Sequence, residues 1–155
     1  MKSLTRLWVE GTAIAGTLDL LSAFVFSGTK GVWPMRVLQF VASGPFGDSA
    51  LANPAFAIAG LVVHYAIMAC MVGVYLLAAV RLRPLMRRPL AWSMAYGFGL
   101  WIMMYWIVRP LRWPNAPLPS ATGLVPIGEE LISHVILVGI SIGVVVGRGV
   151  AARRA

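Results

Sequence analysis

Residues 126–147 read P-I-G-E-E-L-I-S-H-V-I-L-V-G-I-S-I-G-V-V-V-G, a largely apolar run with Glu129, Glu130 and His134 near its start. Crossing a hydrocarbon core takes about 20 residues of helix at about 1.5 Å each, and this run meets that length. Gly139, Gly143 and Gly147 recur every fourth residue and so line one helix face, where a second helix can approach closely. Glu130 and His134 are also four residues apart, which puts an acid and an imidazole on one face. Ionisable groups are costly at membrane depth, so their presence there marks a candidate functional site.

Composition agrees with a membrane setting. Of 155 residues, 59% are hydrophobic and 12% charged, against about 25% charged in ordinary soluble domains. Mean hydropathy is +0.83. Thirteen Lys and Arg against five Asp and Glu give a net charge of +8. In a soluble protein that surplus would point to nucleic acid. Here the cations sit in short connections between apolar runs and act as topology signals, so the lipid bilayer is the expected partner and nucleic acid is not. Cys70 is the single cysteine and lies inside an apolar run, which excludes an intrachain disulfide and a thiolate metal cluster. The sequence has no phosphate-binding glycine loop, serine nucleophile elbow or thiol pair, so it indicates no named enzymatic chemistry.

Four spans are expected, at about 11–27, 54–80, 90–108 and 127–147, in a single membrane domain over 1–155. The first follows the basic segment M-K-S-L-T-R-L-W, as in a secretory signal peptide, but Asp19 within the apolar run argues against cleavage there. Pro34 opens and Gly44-Pro45 closes a segment that reads as a short interfacial helix or an ordered loop, with Val37, Leu38 and Val41 apolar and Arg36, Gln39 and Ser43 polar. Asn53-Pro54 reads as the N-cap and first residue of the second span. The aromatics Trp92, Tyr96, Phe98, Trp101, Tyr105 and Trp106 of the third span read as packing, and that span is expected to stop at Arg109-Pro110. The proline-rich connection up to Pro126 should be extended.

Lys2, Arg6, Arg81, Arg83, Arg87, Arg88, Arg148, Arg153 and Arg154 fall on one side of these spans. Lys30, Arg36, Arg109 and Arg112 fall on the other. The positive-inside rule then puts both termini in the cytoplasm, and the fold class is an all-α integral membrane protein, a four-helix up-down bundle.

Spans two and four enter from the same face, so His64 and His134 lie at comparable depth and can converge in the outer half of the bundle. Asp19 lies near mid-span, and Glu129 and Glu130 lie at the outer mouth, where Arg109 can pair with them. Asp19, His64, Glu130 and His134 are therefore the candidate intramembrane cluster. Its chemistry suits proton sensing or relay, because imidazole titrates near physiological pH and a nearby carboxylate couples to it. Structural readings stand beside this one. An intramembrane histidine also serves as an interhelical hydrogen-bond partner, and acids at a helix N-terminus are stabilised by free amides. No cofactor is expected. Two histidines and carboxylates make a conceivable Zn or Fe ligand set, or axial haem ligands, but no metal-binding spacing accompanies them.

His64 and Tyr75 in an H-x10-Y spacing, Pro110 at the end of the third span, a proline-rich connection and Glu130 to His134 as E-x-x-x-H follow one another in an order that resembles the YagU-like bacterial inner-membrane proteins. The resemblance covers roughly 56–138 and implies a multi-pass inner-membrane protein associated with acid resistance. The family pattern has a histidine where this chain has Tyr105. The leading expectation is thus a proton- or ion-linked transporter, channel or pH-responsive subunit. The rival is an accessory or structural membrane protein. The glycines of the fourth span are expected to serve homo-oligomerisation or packing within the chain.

Overall fold

Ser3 starts the first helix. Its Oγ accepts the Arg6 backbone N–H at 3.1 Å, and α1 then runs Leu4–Gly28, beginning earlier than its apolar stretch because Arg6 and Glu10 pair one turn apart. This computed structural model describes residues 2–153, all helix and connection with no strand among the described residues. Arg154, counted above with the termini-side cations, lies outside the described residues. After α1 come α2 (Pro34–Phe46) and a 3-10 turn at Asp48–Leu51. Asn53 Oδ1 accepts the Ala55 N–H at 2.9 Å, so Asn53 does shape the entry to the next helix, but through a turn, and α3 begins at Phe56 and ends at Arg81.

A cationic turn of helix at Arg83–Arg87 reverses the chain into α4, Pro89–Arg112. This helix passes the expected stop. Pro110 lacks an N–H and its ring crowds the carbonyl four residues back, and the chain meets that demand with a π-helical stretch at Met103–Val108 that widens the register just before it. The following connection is not wholly extended, because Pro119–Thr122 forms one helical turn. The last helix, α5, spans Leu124–Ala152, with Pro126 in a first turn where no intrahelical N–H is needed, and with π-helical stretches at Ile132–Gly139 and Gly143–Gly147. The helices α1, α3, α4 and α5 are each long and apolar enough to cross a membrane.

The glycine row of α5 is used within the chain. A Cβ on Gly139 would stand 3.0 Å from Ser93 O and 3.1 Å from Met94 Cα, and one on Gly147 would stand 2.7 Å from Pro89 Cβ. Gly143 faces Ser93 and Leu90, and Gly97 of α4 lies directly on the backbone of His134 and Val135. Small residues on both helices therefore bring α4 and α5 together. A homo-oligomer would have to form through another face. Leu7, Val72, Tyr75, Val138, Ile142 and Val146 fill the centre of the bundle and are almost fully buried.

The helix α2 folds back onto α3, where the Leu38 carbonyl occupies the space that a side chain at Gly60 would need. Its buried face is Gln39, Ala42 and Ser43, while Val37, Leu38 and Val41 are only half-buried. Burial here follows hydrogen bonding more than hydropathy, since Gln39 Nε2 donates to Ala50 O at 3.3 Å and Leu51 O at 3.2 Å. Arg112, the last residue of α4, fastens the far end of α2. Its guanidinium donates to Ser43 O at 2.6 and 3.0 Å and to Gly44 O at 2.9 Å, and it pairs with Asp48 at 2.8 Å.

Candidate functional site

The polar groups gather at the end of the bundle away from the termini, where α1 and α4 finish and α5 begins. Glu130 is the centre. Its side chain is 11% exposed; Oε2 accepts the Trp101 indole N–H at 3.0 Å, and Oε1 lies 3.6 Å from Arg109 Nη1. One turn further along α5, in the π-helical stretch, His134 donates Nδ1–H to the Glu130 carbonyl at 3.2 Å. That bond fixes the ring and leaves Nε2 with no hydrogen bond to a described residue. The His134 ring stands edge-on to Tyr105, centroids 5.5 Å apart, and the Arg109 guanidinium lies 5.9 Å from the Tyr105 centroid.

Around this centre, Lys30 pairs with Glu129 at the rim, and Glu130, Asp19, Arg109 and Glu129 all act electrostatically on the Tyr105 hydroxyl. Asp19 is half-buried on α1; its carbonyl accepts the Ser22 hydroxyl at 2.7 Å, and its carboxylate makes no hydrogen bond or ion pair to a described residue. Ser22 and Ser133 share a 2.5 Å hydrogen bond that joins α1 to α5 beside His134. The structure thus brings Glu130, His134, Tyr105 and Arg109 together with Asp19 alongside. His64 is not in contact with them. It is buried between α1 and α3, where Nε2–H donates to Gly16 O at 2.8 Å and its ring packs against Tyr65. No contact joins the two histidine rings, and among the described residues no three His, Cys, Asp or Glu side chains converge to hold a metal ion.

Three participants were not legible as site residues. Trp101 was one aromatic among many, Lys30 counted only towards topology, and Ser133 carried no signal of its own beyond standing next to His134. Trp101 is distinguished by helical spacing only once α4 is known to face α5.

Comparison with family models, with curated proteins and with solved structures gives no match for this chain. The functional reading therefore rests on the site itself.

Proposed function

We propose that the protein is a small multi-pass protein of a bacterial inner membrane, with both termini cytoplasmic, in which Glu130, His134, Tyr105 and Arg109 form a pH-responsive cluster at the outer end of the bundle. The orientation follows from charge: eight described Lys and Arg lie at the termini end and four at the other. The observation that carries the reading is His134, held through Nδ1 with Nε2 unbonded, one turn from a carboxylate clamped by Trp101 and Arg109.

Imidazole is the side chain whose ordinary pKa lies nearest physiological pH, and the Glu130 side chain belongs to the residue one helical turn before it. The charged and titratable groups around His134 are Glu130 and Glu129 on its own helix, Tyr105 and Arg109 on α4, Asp19 on α1 and Lys30 after it. A proton on Nε2 adds a positive charge beside Arg109, and the two cations then compete for Glu130. That competition acts across the α4–α5 seam. Response is favoured over conduction because the layer beneath the cluster is mostly apolar, with Val72, Leu100, Val138, Ile142 and Val146 all nearly fully buried, while its hydroxyls, on Tyr75, Ser93, Tyr96 and Ser141, each donate to a backbone carbonyl. A proton path through that layer would need a connected chain of polar groups or water.

The test is amide exchange in α4 and α5 of the protein in bilayers, compared at acid and neutral pH. A change across the α4–α5 seam beyond the intrinsic pH effect on exchange is expected, lost in His134→Ala and kept in His64→Phe. A seam whose protection is the same at both pH values overturns the reading. Liposomes under an acid-outside gradient test conduction separately: protein-dependent dissipation lost in both His134→Ala and Asp19→Asn would replace sensing by a relay. A purely structural role predicts that His134→Ala lowers thermal stability and changes nothing else.

A further inference from the structure

At the opposite end of the bundle a groove of about 380 Å³ runs between the start of α1 and the end of α5. Its floor is apolar, formed by Leu7, Val144 and Val145, and its mouth is cationic, formed by Lys2, Arg148 and Arg153. The two helices meet closely at its base, where a Cβ on Gly149 would stand 2.9 Å from Leu7 Cδ1. Arg153 Nη1 donates to Lys2 O at 2.6 Å and fixes one wall. Lys2 and Arg6 share the single acid of this corner, Glu10, at 2.5 and 2.7 Å. Among the described residues, four cations, Lys2, Arg6, Arg148 and Arg153, against one acid leave a local surplus of three positive charges. Arg148 is exposed at the mouth, and its guanidinium has no hydrogen bond or ion pair to a described residue.

We propose that this groove holds an anionic diacyl phospholipid, its phosphate at Arg148 and Lys2 and an acyl chain along Val144, Val145 and Leu7. A cationic mouth alone would suit any phosphate. The apolar strip that continues from it along the flank of a helix long enough to span a bilayer selects a phosphate that carries a hydrocarbon tail. Val144 is 43% exposed on that flank, as a lipid-facing residue should be. A neutral zwitterionic lipid fills the apolar strip equally well but leaves the positive surplus unbalanced. The inference rests on the chain being a bilayer protein and is independent of the cluster around Glu130.

The test is native mass spectrometry of the full chain released from detergent micelles, titrated with phosphatidylglycerol, phosphatidylcholine or glycerol 3-phosphate. One phosphatidylglycerol is expected to be retained in preference to phosphatidylcholine, with no retention of glycerol 3-phosphate. Arg148→Gln should weaken retention about fivefold, the effect of removing one cation near an anionic headgroup. Arg87→Gln, exposed at the same end but not lining the groove, should leave it unchanged. Equal retention of the two lipids, equal loss in both variants, or retention of glycerol 3-phosphate overturns the proposal. Arg148 is exposed, so its substitution tests binding without threatening the fold. A chain that stays dispersed without detergent would overturn the bilayer reading instead.

Discussion

Trp101 on α4 donates its indole N–H to Glu130 on α5 at 3.0 Å, so the carboxylate at the centre of the site is held by an aromatic from the neighbouring helix. Arg109, two turns along α4, reaches the other oxygen. Both contacts cross the seam that the glycines of α5 bring close, which makes the geometry of the site a consequence of packing below it.

Trp101→Phe is expected to lower unfolding stability by about 1.5–3 kcal/mol, the usual worth of a hydrogen bond to a charged group. Thermal or denaturant unfolding in micelles reads this directly. In a double-mutant cycle with Glu130→Gln the two changes should be non-additive by at least about 0.5 kcal/mol. Additive effects would mean that the bond contributes nothing.

Two glycines on α4 should respond in opposite ways. Gly97→Ala drives a methyl into the backbone of His134 and Val135, which cannot swing aside, and should cost about 1–3 kcal/mol. Gly99→Ala meets open space and should be neutral or stabilising by up to about 1 kcal/mol. The comparison of the two unfolding midpoints is the check, and equal losses would contradict the α4–α5 packing.

Arg112 holds the C-terminal end of α2 through two backbone carbonyls and Asp48. Arg112→Met should raise amide exchange across 34–46 by about tenfold or more while leaving α3 protected. Arg112→Lys should restore little, because an ammonium cannot reproduce the fork that reaches Ser43, Gly44 and Asp48 together. Unchanged exchange in Arg112→Met would show that α2 is held by its contact with α3 alone.

His64 is expected to act as a strut. His64→Phe removes the bond to Gly16 O and should cost about 0.6–2 kcal/mol, in the range for interhelical hydrogen bonds in membranes. The pH response of the α4–α5 seam should be unaffected by it. Loss of that response in His64→Phe would place His64 back in the cluster.

Much of the architecture was legible in the chain because it is carried by runs of like residues. The four spans follow from apolar length, and the spacing of Gly139, Gly143 and Gly147 signals a close helix contact but not whether its partner is another copy or, as found, α4. Span ends were less legible. Pro110 signals a stop, yet local widening to π geometry lets the helix continue to Arg112, and that choice depends on what Arg112 then fastens. In the site, Glu130 and His134 stood out because spacing places them on one face. Depth arithmetic put His64 level with His134 but carries no information on helix rotation, and rotation turns His64 towards Gly16 of α1. Trp101 was hidden for a related reason: α4 is aromatic on several faces, and only the partner helix decides which ring meets the acid.

The hydrogen bond from Arg153 to the Lys2 carbonyl puts the start of α1 and the end of α5 side by side. A linker of a few residues could join these two helices there, and the circle could then be reopened in the connection around Asn115 and Ala116 without cutting any long helix. Such a permuted chain would begin and end on the face that carries Glu130 and His134, so a reporter fused there would sit next to the cluster on the far side of the bilayer from its original attachment points.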